Sequence, residues 1–121
     1  MRSVVALRGA TQVEEDQPEL IHLAVSELLS ELMAANDLTV EDFISVLFTA
    51  TPDLTSDFPA VGARSIGFGA TPLICASEIN VPGALPRVIR ILAHVESDRP
   101  RVEAKHIYLK GAVALRKDLA Q

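Results

Sequence analysis

The 121-residue sequence is poor in aromatic side chains, with no Trp, one Tyr and four Phe. Proteins that bind single-stranded nucleic acids stack the bases on aromatic rings, and few rings are available here. Basic residues are also in deficit: 11 Lys and Arg against 16 Asp and Glu give a net charge of −5. Because a field of that sign repels nucleic acids and anionic membranes, we expect neither as a partner.

Cysteine and long hydrophobic runs are scarce as well. The single cysteine, Cys75, excludes a disulfide within the chain and is typical of a reducing compartment. No apolar run approaches the ~20 residues that cross a bilayer. The short run at 4–7 is interrupted by Arg8 and does not have the length of a secretory signal. These absences predict a cytoplasmic protein.

The chain is predicted to form one domain, residues 1–121, because it contains no repeat, no low-complexity stretch and no linker-like segment. Apolar and β-branched runs predict three buried strands. They lie at 3–7, 43–50 and 72–77.

Two helices are predicted between these strands. The first starts with Asp16 as its cap and Pro18 in its first turn, and it ends at Asn36. Leu, Ile, Val and Ala recur at helical spacing along it, which predicts a wide buried stripe. The second helix is expected to start at 58–60 and to end near 67–69.

The last third of the chain is predicted to hold one more helix and a hairpin. The helix spans 83–97, and one of its faces would carry Val88, Ile91, Leu92 and Val95. The hairpin would pair strands at 106–109 and 112–115. The order β-α-β-α-β-α-β-β favours an α+β (α/β-like) fold, a mixed β-sheet packed with helices. Helices on one face leave the other to be buried, so oligomerisation is expected.

The usual signatures of metal, cofactor and nucleophilic chemistry are missing. Gly67 and Gly69 lack the spacing of a phosphate loop. The three histidines are scattered, and Cys75 has no second cysteine at zinc spacing. A nucleophilic Cys75 would need a neighbouring base that the sequence does not reveal, and a lone cysteine is more often a packing residue. We expect neither metal nor cofactor.

Arginines near the ends of predicted elements are the strongest sign of a ligand. They are Arg8, Arg64, Arg90 and Arg116. Converging guanidinium groups bind carboxylates in bidentate fashion, and ligands collect at the ends of strands. The alternative is that each is a solvated charge, with Glu78 a surface carboxylate and Tyr108 a packed ring. Spacing alone does not decide between these interpretations.

Four blocks of residues, in order along nearly the whole chain, carry a family resemblance. They are Arg8-Gly9-Ala10-Thr11 with Val13-Glu14; Ala50-Thr51-Pro52-Asp53-Leu54 through Phe58-Pro59-Ala60 to Arg64; Cys75 with Glu78, Val81, Gly83, Leu85 and Ile89-Arg90; and His106-Ile107-Tyr108-Leu109 with Ala112-Val113, Leu115-Arg116, Asp118 and Leu119. Together they resemble the monofunctional chorismate mutases of the trimeric α/β, pseudo-barrel type. Two departures are Val61, where better-known members have Lys, and the end at Gln121, beyond which some members continue.

The resemblance implies a homotrimeric pseudo-α/β-barrel with active sites between its subunits. It implies an isomerase that needs no cofactor and converts chorismate to prephenate in phenylalanine and tyrosine biosynthesis. Two alternatives stay open. One is an imine or enamine deaminase on the same trimeric fold, and the other is a trimer that binds small acids without catalysis.

The resemblance also implies roles for ten residues. Arg90 would contact the ether oxygen and a carboxylate of chorismate, and Arg8 and Tyr108 would hold carboxylate. Glu78 and the Cys75 position would contact the ring hydroxyl. The remaining five are substrate-binding residues: Phe58, Ala60 and Arg64 from the neighbouring subunit, and Leu115 and Arg116 at the mouth of the pocket.

Overall fold

Five strands form a single sheet in the computed structural model, which describes residues 2–116. They are β1 (Ser3–Gln12), β2 (Phe43–Ala50), β3 (Leu73–Ser77), β4 (Val88–Ser97) and β5 (Ile107–Tyr108). Their order in the sheet is β3-β2-β4-β1-β5. β4 is antiparallel to β1 and β2, whereas β5 is parallel to β1 and β3 is parallel to β2. The sheet is therefore mixed, which confirms the predicted fold class.

Two α-helices, α1 (Pro18–Asn36) and α2 (Pro59–Arg64), lie close to their predicted positions. Single turns of 3-10 helix form at Val40–Asp42, Phe68–Ala70 and Arg101–Glu103, and a longer one at Lys110–Leu115. α2 ends at Arg64, before the predicted 67–69, and the chain continues in tighter turns to Gly67, which adopts a left-handed φ of 106°. None of the described helices is long and apolar enough to cross a membrane. Asp118 and Leu119 lie outside the described residues.

The start of α1 differs from the prediction in its cap. Gln17, and not Asp16, is the capping residue, and its side chain makes no capping hydrogen bond. The carboxylate of Asp16 instead accepts the backbone N–H groups of Thr55 and Ser56, at 3.0 Å each. Asp16 therefore connects the start of α1 to the loop before α2.

α1 covers one face of the sheet, which we call the covered face. Its buried residues include Ile21, Val25, Leu28, Leu29 and Leu32. They share one hydrophobic cluster with buried side chains of the sheet, among them Leu7, Val46, Phe48, Ile89, Ile91 and Val95. The predicted helical stripe thus forms the α1 side of the core.

The opposite face of the sheet, the open face, has no α-helix over it within the described chain, and the 3-10 helix Lys110–Leu115 covers only its end at Ala10 and Tyr108. It carries large apolar side chains that are exposed: Val4, Leu47, Ile74 and Leu92. Arg8 and Arg90 lie among them, since both alternate with buried neighbours along their strands. Exposed apolar groups on a continuous surface are typical of an interface.

The predicted helix at 83–97 is wrong, because this segment contains β4. Ile89, Ile91, Ala93 and Val95 are buried, and the residues between them are exposed or half-buried. That is the two-residue period of a strand. The helix prediction depended on the helical spacing of Val88, Ile91, Leu92 and Val95. The β-branched residues of the segment favour a strand and were the better indication.

The predicted hairpin at 106–115 is also wrong. Only Ile107–Tyr108 forms a strand, and it lies beside β1, where Tyr108 is opposite Ala10. Lys110 then takes a left-handed φ of 53°, and the chain continues as the 3-10 helix to Leu115. Pairing with a distant strand therefore prevails over the local turn signal.

β1 is longer than predicted, since it continues past residue 7 to Gln12. Arg8 is accommodated within the strand, since its side chain points to the open face. Gly9 does not end it either: a Cβ there would lie 3.0 Å from the Leu32 side chain. The glycine thus allows α1 to approach the sheet closely.

Candidate active site

Arg90 and Glu78 form the centre of the candidate site. Arg90 is on β4, opposite Ala10 of β1 and Thr49 of β2. Its Nε lies 3.5 Å from Oε1 of Glu78, with 46% of the Arg90 side chain and 23% of the Glu78 side chain exposed. The backbone N–H of Glu78 donates to the carbonyl of Ala50 at 2.9 Å and so holds the residue just beyond β3. The structure thus brings together two residues that lie 12 positions apart in the sequence.

Arg8 and Tyr108 lie on the same face of the sheet as Arg90. Arg8 and Ala10 alternate with buried residues on β1, and Ala10 is the strand partner of both Arg90 and Tyr108. Tyr108 is buried, and its ring packs with Ala10, Ala112 and Leu115. Two cations and a phenol therefore occupy neighbouring strands of one surface, and such groups suit an anionic ligand.

Leu115 and Arg116 follow Tyr108 at the end of the described chain. Sequence analysis placed them at the end of a strand, but Leu115 ends the 3-10 helix and Arg116 is the residue after it. Leu115 packs against the cluster around Tyr108. Arg116 is close enough to His106 to affect the ionisation of that residue. Both residues thus belong to the Tyr108 end of the open face.

His106 is a neighbour of the site that sequence analysis did not select. Its Nδ1 accepts the backbone N–H of Arg8 at 3.0 Å, which requires the proton of the neutral ring to be on Nε2. Burial, and after it the charges of Arg8 and Arg116, lower the pKa of His106 below its ordinary value. Only its position two residues before Tyr108 could have indicated this role.

Cys75 occupies a different face of the sheet from Arg90. Its partner on β2 is Phe48, a buried residue of the covered face, whereas Thr49, the partner of Arg90, belongs to the open face. The half-buried Cys75 side chain packs against the main core. The structure therefore gives the thiol a packing environment and does not bring it next to Arg90.

Phe58, Ala60 and Arg64 belong to α2 and the residue before it. Phe58 is 67% exposed and Arg64 is exposed, while Ala60 is buried. A groove of about 540 Å³ runs from Phe58 to Cys75 past the ends of β2 and β3. Val61, at the position where other members have Lys, lies half-buried on α2. Within residues 2–116, these residues make no hydrogen bond or ion pair with Arg90.

The start of β4 is held by a network that sequence analysis also missed. Asp53 accepts the backbone N–H of Arg87 at both carboxylate oxygens, at 3.1 and 3.0 Å. The hydroxyl of Thr51 donates to Asp53 at 2.5 Å and accepts the N–H of Val88 at 3.0 Å. Arg87 has a left-handed φ of 52°, and its Nε donates to the carbonyl of Val13 at 2.8 Å. These bonds fix the backbone three residues before Arg90.

Comparison with known proteins gives consistent matches. Residues 4–119 match the family model described as chorismate mutase type I. The chorismate mutase AroH of Thermus thermophilus is 51% identical over 117 residues, which cover 96% of each chain. The chorismate mutase AroH of Bacillus subtilis is 38% identical over 115 residues, covering 94% of this chain and 91% of the relative.

A solved structure agrees with the sequence matches. A chorismate mutase from Clostridium thermocellum superimposes with a TM-score of 0.88 at 42% sequence identity, covering 90% of this chain and 97% of that one. The resemblance found in the sequence is thereby confirmed over almost the whole chain. The chain belongs to the type I chorismate mutases, which are isomerases.

Proposed function

We propose that this protein converts chorismate to prephenate at a site on the open face of the sheet, centred on Arg90. The observation that carries the proposal is the pairing of Arg90 with Glu78 at 3.5 Å, on the surface that also bears Arg8 and Tyr108. Phenylalanine and tyrosine biosynthesis in the cytoplasm is the setting that this activity implies.

The reaction is an intramolecular Claisen rearrangement, which breaks a C–O bond and forms a C–C bond without proton transfer. Negative charge grows on the ether oxygen as the C–O bond breaks. The guanidinium of Arg90 supplies a fixed positive charge for that oxygen, and a donor that is already in place needs no reorganisation. Its fork of N–H groups can also contact a carboxylate, which a Lys could not do with the same geometry.

Substrate shape is the second requirement, since chorismate must be held compact with its two reacting carbons close together. Arg8 and Tyr108 would bind carboxylate from β1 and β5. Glu78 would accept a hydrogen bond from the ring hydroxyl. Because the Cys75 thiol packs against the core, we propose that this position contributes through its backbone.

The size of the rate acceleration requires both charge stabilisation by Arg90 and positioning of the substrate. Enzymes accelerate reactions by at least about 10⁶-fold, which corresponds to ~8 kcal/mol of barrier reduction. One electrostatic donor is typically worth about 3–4 kcal/mol. Arg90 therefore cannot account for the rate alone, and positioning by Arg8, Tyr108 and Glu78 must supply the rest.

We propose further that the protein is a homotrimer that completes each site with residues of an adjacent subunit. Val4, Leu47, Ile74 and Leu92 give the open face an exposed apolar surface that another copy would bury. The exposed ring of Phe58 would enter the neighbouring site, together with Ala60 and Arg64, while Leu115 and Arg116 would line its mouth.

The decay of chorismate absorbance tests the activity, and subunit mixing tests the shared site. One variant carries Arg90→Ala, and the other carries Phe58→Ala with Arg64→Ala. Each alone should be almost inactive when chorismate is well below the wild-type KM, where a loss of binding lowers the rate directly. When the two are unfolded together and refolded at a one-to-one ratio, ~1/4 of the sites in random trimers would combine both intact halves. Recovery of about a quarter of wild-type activity supports the proposal, and no recovery in correctly assembled mixtures contradicts it.

A further inference from the structure

The loop that leads into α2 is anchored to the start of α1. This loop, 55–58, ends at the exposed Phe58. Asp16 accepts the N–H groups of Thr55 and Ser56, and it also accepts the Thr55 hydroxyl at 2.9 Å. These bonds hold the first half of the loop at one end of α1.

A side-chain pair anchors the second half of the loop. Nε2 of His22, on α1, lies 2.6 Å from Oδ2 of Asp57, and both side chains are partly buried. Oδ1 of the same carboxylate accepts the backbone N–H of Phe58 at 2.7 Å. That N–H, and after it the His22 side chain, lower the pKa of Asp57 below its ordinary value. The carboxylate thus links α1 to the backbone of Phe58.

Asp57 is also connected to α2. The charge of Arg64 contributes to the lowered pKa of Asp57. α2 lies directly on the turn of α1 that contains His22, since a Cβ added to Gly62 would be 2.8 Å from the His22 carbonyl oxygen. The His22–Asp57 pair therefore lies beside Phe58 and Arg64, the two exposed residues that we propose for the neighbouring subunit's site.

We propose that His22 and Asp57 are positioning residues, which fix the backbone of Phe58 so that its ring is presented to the adjacent subunit's substrate in one orientation. This inference rests on the shared site proposed above. A loop that becomes ordered only on binding lowers affinity, whereas a fixed loop avoids that loss. Because an apolar contact of this kind acts on substrate and transition state alike, the pair should affect binding more than the chemical step.

Replacing His22 separates a positioning role from a structural one. His22→Leu removes the ring nitrogen, while His22→Gln keeps an N–H donor near the position of Nε2. We expect His22→Leu to raise KM for chorismate about ten-fold, the effect of losing one hydrogen bond to a charged group, with kcat within about three-fold. His22→Gln should restore most of the affinity. A merely structural role would reduce the amount of folded enzyme and lower apparent kcat without changing KM.

Asp57→Ala provides a second variant that removes the other partner. We expect a rise in KM at least as large as for His22→Leu, because Asp57→Ala also removes the acceptor of the Phe58 N–H, and the double variant should be little worse than Asp57→Ala alone. Additive increases in KM would contradict an interaction between His22 and Asp57. Arg99→Leu is the matched control: it breaks the 3.2 Å ion pair with Asp37 at the far end of α1, and KM should not change.

Fluorescence tests the positioning without reference to turnover. Since the chain has no Trp, Phe58→Trp introduces a single indole at the tip of the loop. Time-resolved anisotropy should show larger fast motion of this indole with His22→Leu than with His22→Gln. Equal motion in the two variants would overturn the positioning role. Absence of chorismate turnover by the wild-type protein would instead overturn the proposed function, and the anisotropy would still decide whether the pair orders the loop.

Discussion

Along β4, Ile89, Ile91 and Ala93 point toward α1 and are buried, whereas Arg90 and Leu92 between them point to the open face. The covered face is built from aliphatic and aromatic side chains that close against one helix. The open face mixes exposed apolar side chains with cations, a combination that a folded subunit does not need for its own core. One face therefore supports the fold, and the other is the one that we propose for assembly and catalysis.

The largest effect on stability should come from the covered face. Phe48→Ala empties space in the centre of the core, where the ring is fully buried, and should lower the free energy of unfolding by about 3–5 kcal/mol. Urea unfolding at one fixed protein concentration measures it. Leu23→Ala, on the exposed side of α1, is the control and should stay within about 0.5 kcal/mol of wild type. Equal losses for both would contradict the assignment of the core.

A charge on the open face should disrupt assembly and leave the subunit folded. Leu47 is 41% exposed in the isolated chain, and Leu47→Asp would place a carboxylate inside the proposed interface. We expect sedimentation to show monomers with little mutase activity, while circular dichroism shows retained secondary structure. Leu23→Asp is the matched control, because Leu23 is 59% exposed on α1 and should keep the assembly of the wild type. An intact trimer of Leu47→Asp would locate the interface elsewhere.

His106 should make stability depend on pH near the open face. Its folded pKa is lowered, so its contribution is complete above the ordinary value of 6.5 and is lost as the pH falls from there through the lower folded pKa. His106→Asn keeps an acceptor for the Arg8 N–H but does not titrate. Unfolding midpoints from about pH 7.5 to about pH 5 should therefore fall more steeply for wild type than for the variant. Parallel curves would show that His106 is not the group responsible.

The smallest expected effect is a gain in stability on the covered face. Thr11 has 0% exposure, and its hydroxyl has no hydrogen-bond partner among residues 2–116. Thr11→Val keeps the shape and removes the unsatisfied group, so stability should rise by about 1 kcal/mol. Thr51→Val is the matched contrast and should destabilise by a similar amount, because the Thr51 hydroxyl bonds both Asp53 and Val88. A higher melting temperature for Thr11→Val and a lower one for Thr51→Val would support this difference between the two hydroxyls, and the opposite signs would contradict it.

Local sequence patterns were sufficient to predict some of the elements. The stripe along α1 and the β-branched run of β2 could be predicted because each pattern fits one period over its full length. β4 was predicted wrongly, since its apolar residues fit both periods; its β-branched residues favour a strand, and its position between β1 and β2 fixes it as one. β5 is two residues long and exists because β1 lies beside it.

Local sequence patterns were also insufficient to place the residues of the candidate site relative to one another. Arginines near the ends of predicted elements suggested a ligand that carries carboxylates, and the family resemblance named the other residues. Neither could show that Glu78 and Arg90 approach each other, because that contact depends on how β3 and β4 are placed around β2. His22 and Asp57 carry no sequence signal, since their pairing arises only from a contact across 35 positions, and the role of His106 depends on a contact with Arg8 across 98 positions.

The charge of Arg90 is the centre of this account, and Arg90→citrulline tests it most directly. Citrulline, introduced by semisynthesis, keeps the planar group and most of its N–H donors but removes the positive charge. If Arg90 stabilises the developing charge on the ether oxygen, kcat should fall by at least ~10²-fold while KM changes much less. A kcat within about three-fold of wild type, in a correctly assembled protein, would contradict the proposal that this guanidinium stabilises the transition state.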